Sequence, residues 1–277
     1  MTRWDNAEPG LRLGRSPLVG RAAELALLED ALREAGVGRA NVVLLAGEPG
    51  IGKSRLLQEF PSADLGVEVQ VLRGGATEAE GMPPYLPFVE ALSAYVASAE
   101  LEPLRALTGP HTSILTRLVP QLEFRLGPAA PLADLPPEQE RLRWFEAVVA
   151  LHSRLAARSI VLLTLDDLQW ADAATCDLLL HLIRRLRSER LLVLGAYRQR
   201  EAEDNAPFMR ARAELNRQRL VRELTVRRLD LAESGSLAAG LLGAETTSSI
   251  ANLLHDHGEG NPFFAEELVR ALVEAGY

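Results

Sequence analysis

The chemistry that this sequence could perform is indicated first by glycines and polar residues between positions 47 and 54. Gly47, Gly52, Lys53 and Ser54 fit the pattern GxxxxGK[ST]. The glycines let the backbone curl so that its N–H groups point at an anion, and a helix start beside the loop adds its positive end. Such a loop is typical of nucleotide phosphate binding, with the lysine on the phosphates and the serine hydroxyl on Mg²⁺.

We therefore predict that the whole loop contacts a nucleotide and that its lysine also takes part in catalysis. The predicted loop residues are Gly47, Glu48, Pro49, Gly50, Ile51, Gly52, Lys53, Ser54 and Arg55. Lys53 is the only lysine among 30 basic residues, which favours a place where a compact ammonium, rather than a planar guanidinium, must fit. The alternative interpretation is a Gly-Pro turn between a strand and a helix, with no ligand.

The segments that would position this loop follow from hydrophobic patterns. An apolar run from Val42 predicts a buried strand before the loop, and Leu56, Leu57 and Phe60 predict a helix after it. Apolar or alternating runs predict further strands near Val67, Ile160, Leu191 and Val221. With helices between them, these strands predict an α/β fold: a three-layer P-loop NTPase with a parallel central sheet of about five strands.

A second chemical signal ends the strand that begins at Ile160. This almost uninterrupted apolar run is typical of a central parallel strand, and it ends in Asp166 and Asp167. Beside a phosphate loop, the first carboxylate at such a position binds Mg²⁺ and the second polarises water. Asp172 is better explained as the N-cap of the next helix than as a metal ligand.

Arg198 follows the strand that begins at Leu191, at the edge where open α/β sheets place their ligands. We predict that it senses a γ-phosphate, the alternative being a surface arginine after a strand. The arginine-rich segment from Pro207 to Arg228 also carries Glu214 and Glu223. That mixture favours a solvated face over a surface for an anionic partner.

Four other reactive side chains have simpler explanations. His152 belongs to an apolar stripe on a predicted helix, with Leu142, Phe145, Val149 and Leu155, which favours a core residue over a catalytic one. Cys176 is interpreted as a small buried hydrophobe. The pair His255 and His257 has no third ligand at a sensible spacing, so a solvated helix end is preferred to a metal site.

Length and composition set the broad class. At 277 residues, the chain can form one large domain, or one with a smaller companion. The net charge of −8 and the absence of an apolar run near 18 residues predict neither direct DNA binding nor a membrane span. A single cysteine fits a reducing compartment, and we predict a cytoplasmic location. The predicted divisions are a flexible arm at 1–16, a core at 17–229 with a helical insertion around 81–137, and a helical lid at 230–277.

Five motifs in fixed order give a resemblance to a known family. They are Val19-Gly20-Arg21, the loop 47–54, the stretch Leu165–Asp172 with the sequence LDDLQWAD, Gly195-Ala196-Tyr197-Arg198, and Gly260-Asn261-Pro262-Phe263-Phe264. Together they resemble the Orc1-like AAA ATPase module of STAND signalling proteins, found in large LuxR-type transcriptional regulators. The resemblance extends from Pro17 to Tyr277 and implies an ASCE/AAA-like core followed by a small all-helical lid.

The resemblance also implies roles for individual residues. Val19, Gly20 and Arg21 would lie by the adenine of ATP or ADP, and Pro262 would close on the base or ribose. Ser54 and Asp166 would hold Mg²⁺, Asp167 would be the base, and Arg198 the sensor of the terminal phosphate. Two departures stand out: Asp167 replaces the glutamate of many AAA relatives, and Phe263 follows the Gly-x-Pro motif where no second sensor arginine is evident.

The resemblance implies partners as well as a cofactor. Such modules switch between ADP and ATP forms and often assemble, so we expect a protein partner or self-association through further domains that this sequence does not include. The lid is accordingly expected to be truncated.

Four functions remain open at this point. The first is a signalling ATPase switch, and the second is an ATP/ADP-binding scaffold with negligible hydrolysis. A small-molecule kinase ranks after these because no acceptor base can be named. A DNA-loading ATPase ranks last because the chain is acidic and has no winged helix.

Overall fold

Five parallel strands form one sheet in the described part of the chain. The computed structural model describes residues 17–62, 66–79, 81–242 and 248–274, so the predicted arm at 1–16 lies outside it. The strands are β1 (Asn41–Gly47), β2 (Val69–Gly75), β3 (Ile160–Asp166), β4 (Leu191–Arg198) and β5 (Val221–Thr225). Their order across the sheet is β2-β3-β4-β1-β5. The predicted parallel α/β fold is confirmed, although Val67 lies before β2 and is 54% exposed.

Helices fill the connections between the strands, as parallel pairing requires, and further helices precede β1 and follow β5. In the first half they are α1 (Ala22–Gly36), α2 (Lys53–Glu59), α3 (Leu86–Ser98), α4 (Leu101–Thr108), α5 (Thr112–Leu118), α6 (Gln121–Leu126) and α7 (Pro137–Ala156). In the second half they are α8 (Ala173–Arg185), α9 (Gln199–Glu203), α10 (Ala206–Arg217), α11 (Leu231–Leu242), α12 (Ser248–Gly258) and α13 (Pro262–Glu274). Helices α3 to α6 occupy most of the region predicted as a helical insertion.

Alternate residues of the central strands face opposite sides of the sheet, which produces three layers. One face carries Val43, Leu45, Leu162, Leu192 and Leu194, in one core with α1 and α2. The other face carries Val42, Leu44, Val161, Leu163 and Val193, in a second core with α3, α7, α8 and α10. These strands are apolar on both sides because helices cover both faces.

Three helices after β5 form a small cluster with a core of its own. This core contains Leu229, Leu237, Ala238, Leu241, Leu254, Ala265 and Val269. Val19, from the segment before α1, packs against the same cluster. The predicted all-helical lid therefore corresponds to α11, α12 and α13, and the chain before α1 touches it. No helix in the described ranges combines the length and apolar character needed to cross a bilayer.

Helix α7 shows where the predicted apolar stripe was right and where it was wrong. Phe145, Val149, His152 and Leu155 are buried as predicted. Leu142 is 54% exposed, because the second core covers the helix only from about Phe145 onward.

His152 is a core residue rather than a catalytic one. Its ring is 1% exposed, Nδ1 lies 2.8 Å from the carbonyl oxygen of Val148, and Nε2 has no hydrogen-bond partner among the described residues. Burial lowers the pKa of His152 to about 4. The imidazole is therefore neutral at pH 7, since charging it would place an uncompensated cation in an apolar interior.

This burial predicts an acid-sensitive fold. Because the His152 pKa falls from 6.5 in the unfolded chain to about 4 in the folded one, its contribution is complete above pH 6.5 and is lost as the pH falls toward 4. Within that window, the free energy of unfolding should decrease by about 1.4 kcal/mol per pH unit, to a total of about 3 kcal/mol. Urea unfolding between pH 7.5 and 4 measures this dependence.

The control for this prediction is His152→Leu, which keeps an apolar side chain at the position and cannot titrate. Carboxylates contribute to the pH dependence of both proteins, so the difference between the two curves isolates the histidine. Parallel curves for the variant and the wild type would show that the buried imidazole is not responsible.

Candidate functional site

The loop after β1 has a backbone that requires glycine at two positions. Gly50 and Gly52 adopt φ values of +75° and +102°, a region that side chains other than glycine rarely enter. At Gly50, a Cβ atom would also lie 2.6 Å from the Cβ of Phe263 in the lid. Gly52 precedes the first turn of α2, so the loop delivers the chain to a helix N-terminus, where backbone N–H groups favour an anion.

Lys53 is buried in this loop and is held by the loop's own carbonyl groups. The residue is only 6% exposed. Its Nζ donates to the carbonyl oxygens of Gly47 and Glu48, both at 2.9 Å. An ammonium has three N–H donors, so one remains for an anion inside the loop. Burial lowers the pKa of Lys53, and the positive charge of Arg198 lowers it further.

Ser54, in the first turn of α2, and Asp166, at the end of β3, lie close together although β4 separates β1 from β3. Burial raises the pKa of the Asp166 carboxyl, and the nearby Ser54 hydroxyl partly offsets this rise. A hydroxyl and a carboxylate are the hard oxygen donors that Mg²⁺ prefers, and their proximity fits a shared ion next to Lys53.

Asp167 adopts a backbone conformation that is unusual for its residue type. Its φ of +52° and ψ of +40° are left-handed, and it opens a short 3₁₀ turn over Leu168–Trp170. One carboxylate oxygen, Oδ1, accepts a hydrogen bond of 2.7 Å from Nε2 of Gln169. The same oxygen lies 3.6 Å from Nε of Arg198. Such strain is often stored where a side chain must be aimed.

Arg198 lies between two carboxylates at the end of β4. Its Nε is 3.6 Å from Asp167 Oδ1 and its Nη1 is 3.6 Å from Glu201 Oε1. In the pairing of β1 with β4, Arg198 is the direct partner of Gly47, the first loop glycine. The structure therefore brings Lys53, Asp167 and Arg198 to the same edge of the sheet.

Arg21 lines the cavity region and also holds the phosphate loop, while the adenine contact implied for it stays a prediction. The residue is 3% exposed, and its guanidinium donates to the carbonyl oxygens of Ile51 and Arg227, both at 2.8 Å. It also donates to Glu24 at 3.3 Å. These bonds tie the phosphate loop to the segment that leads into the lid, and burial lowers the pKa of Arg21.

A cavity of about 250 Å³ lies between the loop and the lid. It is lined by Pro17, Leu18, Val19, Arg21, the loop residues 49–55, Asp167, Arg198, Leu229, Leu237, Pro262, Phe263 and Glu266. Four predicted site residues, Gly20, Gly47, Glu48 and Asp166, are not part of this lining. The volume falls a little below the roughly 300–1,000 Å³ of typical ligand pockets.

The lid touches the loop through polar contacts. Asn261 Nδ2 donates to the carbonyl oxygen of Pro49 at 3.0 Å. Arg228, between β5 and α11, donates to Glu48 at 2.8 Å and to Glu259 at 2.5 Å. The Glu48 side chain therefore extends toward the lid and contributes a backbone carbonyl, rather than a carboxylate, to the loop interior.

The remaining sequence candidates lie outside the site. Asp172 caps α8, accepting from the backbone N–H of Thr175 at 2.9 Å, and Cys176 is buried, with a pKa raised to about 12 by that burial. Within the described ranges, no group of His, Cys, Asp or Glu side chains is arranged to hold a metal ion by itself, His255 and His257 included. Five arginines of the 207–228 segment form ion pairs: Arg212, Arg217, Arg222, Arg227 and Arg228.

Gln169 and Asn205 are the polar residues that sequence reasoning missed. Gln169 is 1% exposed and bonds both Asp167 and the backbone of Arg198. Asn205 bonds the backbone around Gln169. The only available signal was the place of Gln169 inside the LDDLQWAD motif, and an amide side chain has no chemical signature that separates such a role from an ordinary surface residue.

Similar folds occur among solved structures of archaeal and bacterial proteins. The Aeropyrum pernix Orc1 protein, solved in complex with DNA, is 21% identical, with 94% of this chain and 61% of that chain covered at a TM-score of 0.54. A chain of the E. coli MS115-1 HORMA:CdnC:Trip13 complex is 13% identical, with 94% and 83% covered at a TM-score of 0.50. At these identities, the likeness shows the fold alone.

A third structure is a STAND protein (Signal Transduction ATPase with Numerous Domains) from Pyrococcus horikoshii that carries a tetratricopeptide repeat sensor. It is 14% identical, and the match covers 95% of this chain and 33% of that chain at a TM-score of 0.48. The present chain thus spans less than two thirds of the Orc1 chain and about one third of the STAND chain.

Sequence comparison places the chain more directly. No curated protein matches it. The profile described as the AAA ATPase domain matches residues 17–194, which is more than half of the chain and includes the phosphate loop, Asp166, Asp167 and the first half of β4. The chain therefore belongs to the AAA ATPase domain family.

Proposed function

We propose that this chain is an ATP-binding, Mg²⁺-dependent ATPase module that acts as a nucleotide-controlled switch. The observation that carries the proposal is the proximity of Ser54, in the first turn of α2, to Asp166, at the end of β3, since both are candidate Mg²⁺ ligands. Next to this pair lies the buried Lys53, which has one N–H left for an anion. Membership of the AAA ATPase domain family supports the same chemistry.

The proposed reaction is the attack of water on the γ-phosphorus of ATP. A bond forms between the water oxygen and phosphorus, the bond to the β–γ bridging oxygen breaks, and Asp167 accepts the proton of the water. Lys53 and Arg198 neutralise charge that develops on the phosphate oxygens. Bound Mg²⁺, held through Ser54 and Asp166, would supply further charge neutralisation.

The switch part of the proposal is supported by the contacts between the lid and the loop. The cavity is small, and Asn261 and Arg228 connect the lid region to the two loop residues Pro49 and Glu48. A nucleotide that enters between these elements has to change their contacts, so its presence biases the lid position. We infer that this change in lid position transmits the nucleotide state to a surface that a partner binds.

We further propose that the module works in signalling, as in large LuxR-type regulators and other STAND proteins. The support is the ordered set of motifs, from Val19-Gly20-Arg21 to the Gly-x-Pro that includes Pro262. Its output would be a protein partner or self-association through further domains, without direct DNA binding by this chain. The cytoplasm, where ATP and Mg²⁺ are available, is the proposed location.

A second candidate function is a nucleotide-binding switch with negligible turnover. It is favoured by the contacts of Asp167, whose Oδ1 already accepts from Gln169 and faces Arg198. A carboxylate that is engaged in this way, on a side chain one methylene shorter than glutamate, is less available to a water molecule.

Substitution of Lys53 tests nucleotide binding. Lys53→Met keeps the aliphatic stem but removes the ammonium, so the dissociation constant for ATP should rise by at least about a hundredfold, or about 2.7 kcal/mol. Lys53→Ala should abolish binding in the same way. Calorimetric titration with ATP, ADP and GTP, with and without Mg²⁺, provides the measurement.

Two controls accompany this titration. Arg105→Met removes one positive charge from an exposed residue of α4, whose guanidinium lies 3.8 Å from Glu102, and should leave ATP affinity unchanged. Thermal unfolding checks that the Lys53 variants fold, because the carbonyls of Gly47 and Glu48 lose their donor. Wild-type ATP affinity in folded Lys53→Met would remove the main support for the site.

The next prediction separates the enzyme from the binding switch. Asp167→Asn should slow phosphate release by about a hundredfold or more, because the base is lost, while ATP affinity changes by less than about threefold. Asparagine tolerates the left-handed backbone, and its amide oxygen can still accept from Gln169. Steady-state phosphate release and calorimetry measure the two quantities.

The outcome of this test assigns the function. A wild-type rate near zero that Asp167→Asn leaves unchanged would favour the scaffold without turnover. Asp172→Asn is the matched control, because it makes the same chemical change at a carboxylate that caps α8 instead of lining the cavity.

A further inference from the structure

Gln169 connects the two residues that the proposed chemistry places on either side of the γ-phosphate. Its Nε2 donates to Asp167 Oδ1 at 2.7 Å, and its Oε1 accepts from the backbone N–H of Arg198 at 2.9 Å. The residue is 1% exposed, so its amide is shielded from bulk water. One buried amide therefore spans the end of β3 and the end of β4.

The orientation of this amide is determined by its partners. The oxygen and nitrogen of a glutamine are normally hard to distinguish. The backbone N–H of Arg198 can only donate, so it must face the oxygen, and the NH₂ group must then face Asp167. The N–H of Arg198 can only donate and the ionised carboxylate of Asp167 can only accept. The amide of Gln169 therefore has a single orientation that satisfies both groups.

A second amide side chain secures the loop that carries Gln169. Asn205 Nδ2 donates to the carbonyl oxygens of Gln169 and Ala171, both at 2.9 Å. Its Oδ1 accepts from the backbone N–H of Phe208 at 3.0 Å and so caps α10. Asn205 touches the backbone of the loop and not the carboxylate of Asp167, so the two amides have separable roles.

Packing also restrains the 3₁₀ turn that contains Gln169. Leu168 is 1% exposed and lies against Gly195 of β4, where an added Cβ would come within 2.6 Å of Leu168 Cδ1. The left-handed conformation of Asp167 is therefore enforced from both sides of the turn, by the packing of Leu168 and by the hydrogen bond from Gln169.

We propose that Gln169 is a positioning residue that holds the candidate base Asp167 and the candidate phosphate sensor Arg198 in one fixed relation. This inference rests on the proposed ATPase function. The NH₂ group turns the carboxylate of Asp167 toward the cavity edge, and the amide oxygen fixes the backbone from which the Arg198 side chain extends. Gln169 does not line the cavity, so it acts through these two residues and not on the nucleotide.

The proposal makes a distinct demand on the side chain at position 169. It must donate at one end and accept at the other, over the length of a glutamine. Glutamate keeps the acceptor for Arg198 but presents an oxygen to Asp167 in place of a donor. Methionine keeps the volume and removes both bonds. Both changes should disturb turnover much more than nucleotide binding, because the aligned geometry matters in the reaction and not in the initial contact.

The experiment compares Gln169→Glu and Gln169→Met with the matched variant Gln139→Glu, at an exposed position of α7 that does not line the cavity. All are made in the chain as it stands and assayed for kcat by phosphate release and for ATP affinity by calorimetry. Gln139→Glu makes the same chemical change as Gln169→Glu and adds the same charge. It therefore controls for the added charge.

The expected result is a fall in kcat of about tenfold or more in both Gln169 variants, with the ATP dissociation constant changed by less than about threefold. Gln139→Glu should keep kcat within about threefold of wild type. Thermal unfolding identifies any variant that fails to fold. If either Gln169→Glu or Gln169→Met fails to fold, the other variant still tests the proposal.

Two outcomes overturn the inference and can be told apart. Unchanged turnover in Gln169→Met, or an equal loss in Gln139→Glu, refutes the positioning role and leaves the ATPase function intact. A wild-type chain that binds ATP without any turnover refutes the hydrolytic function and the positioning role together.

Discussion

The structure depends on one constraint: the carboxyl ends of parallel strands share an edge of the sheet. The strand order places β4 between β1 and β3, so the loop after β1, the acids after β3 and the arginine after β4 converge there. None of these segments is near the others in sequence. Their proximity follows from backbone hydrogen bonding between strands whose side chains are apolar on both faces.

The electrostatics at this edge are those of a site assembled for an anion and a cation together. Lys53 is buried and held by two carbonyl oxygens, while Arg198 is held between Asp167 and Glu201. Burial raises the pKa of Asp166 and lowers that of Lys53, which means that both charged forms are costly in the absence of further charges. A polyphosphate and a divalent cation would compensate both groups at once.

The lid is connected to this edge by contacts that no motif predicts. Arg21 bonds the loop through Ile51 and the segment before the lid through Arg227, and Asn261 bonds Pro49. The Gly-x-Pro turn itself is held by the carbonyl of Gly260, which accepts from Leu229 N–H at 2.7 Å. Because one buried guanidinium and a few loop carbonyls join three parts of the chain, a change at the phosphate loop has a short physical route to the lid.

The sequence by itself determined the fold class and the residues that meet at the sheet edge. Five apolar strands with helical connections predict a parallel sheet, and the signatures around Lys53, Asp166 and Arg198 each end a strand, where only one edge is available. Local patterns also predicted the cap at Asp172 and the burial of His152, because both depend mainly on nearby residues and on the period of a helix.

Only the tertiary structure decided how these residues are held. The exposure of Leu142 depends on where the helical core ends, and the contacts of Arg21 and Glu48 depend on where the lid lies against the loop. The bond from Gln169 to Asp167 requires the ends of β3 and β4 to be brought together and the turn to be packed against Gly195. Long-range packing sets these distances, and neither residue type nor spacing encodes which polar group a side chain meets across the sheet.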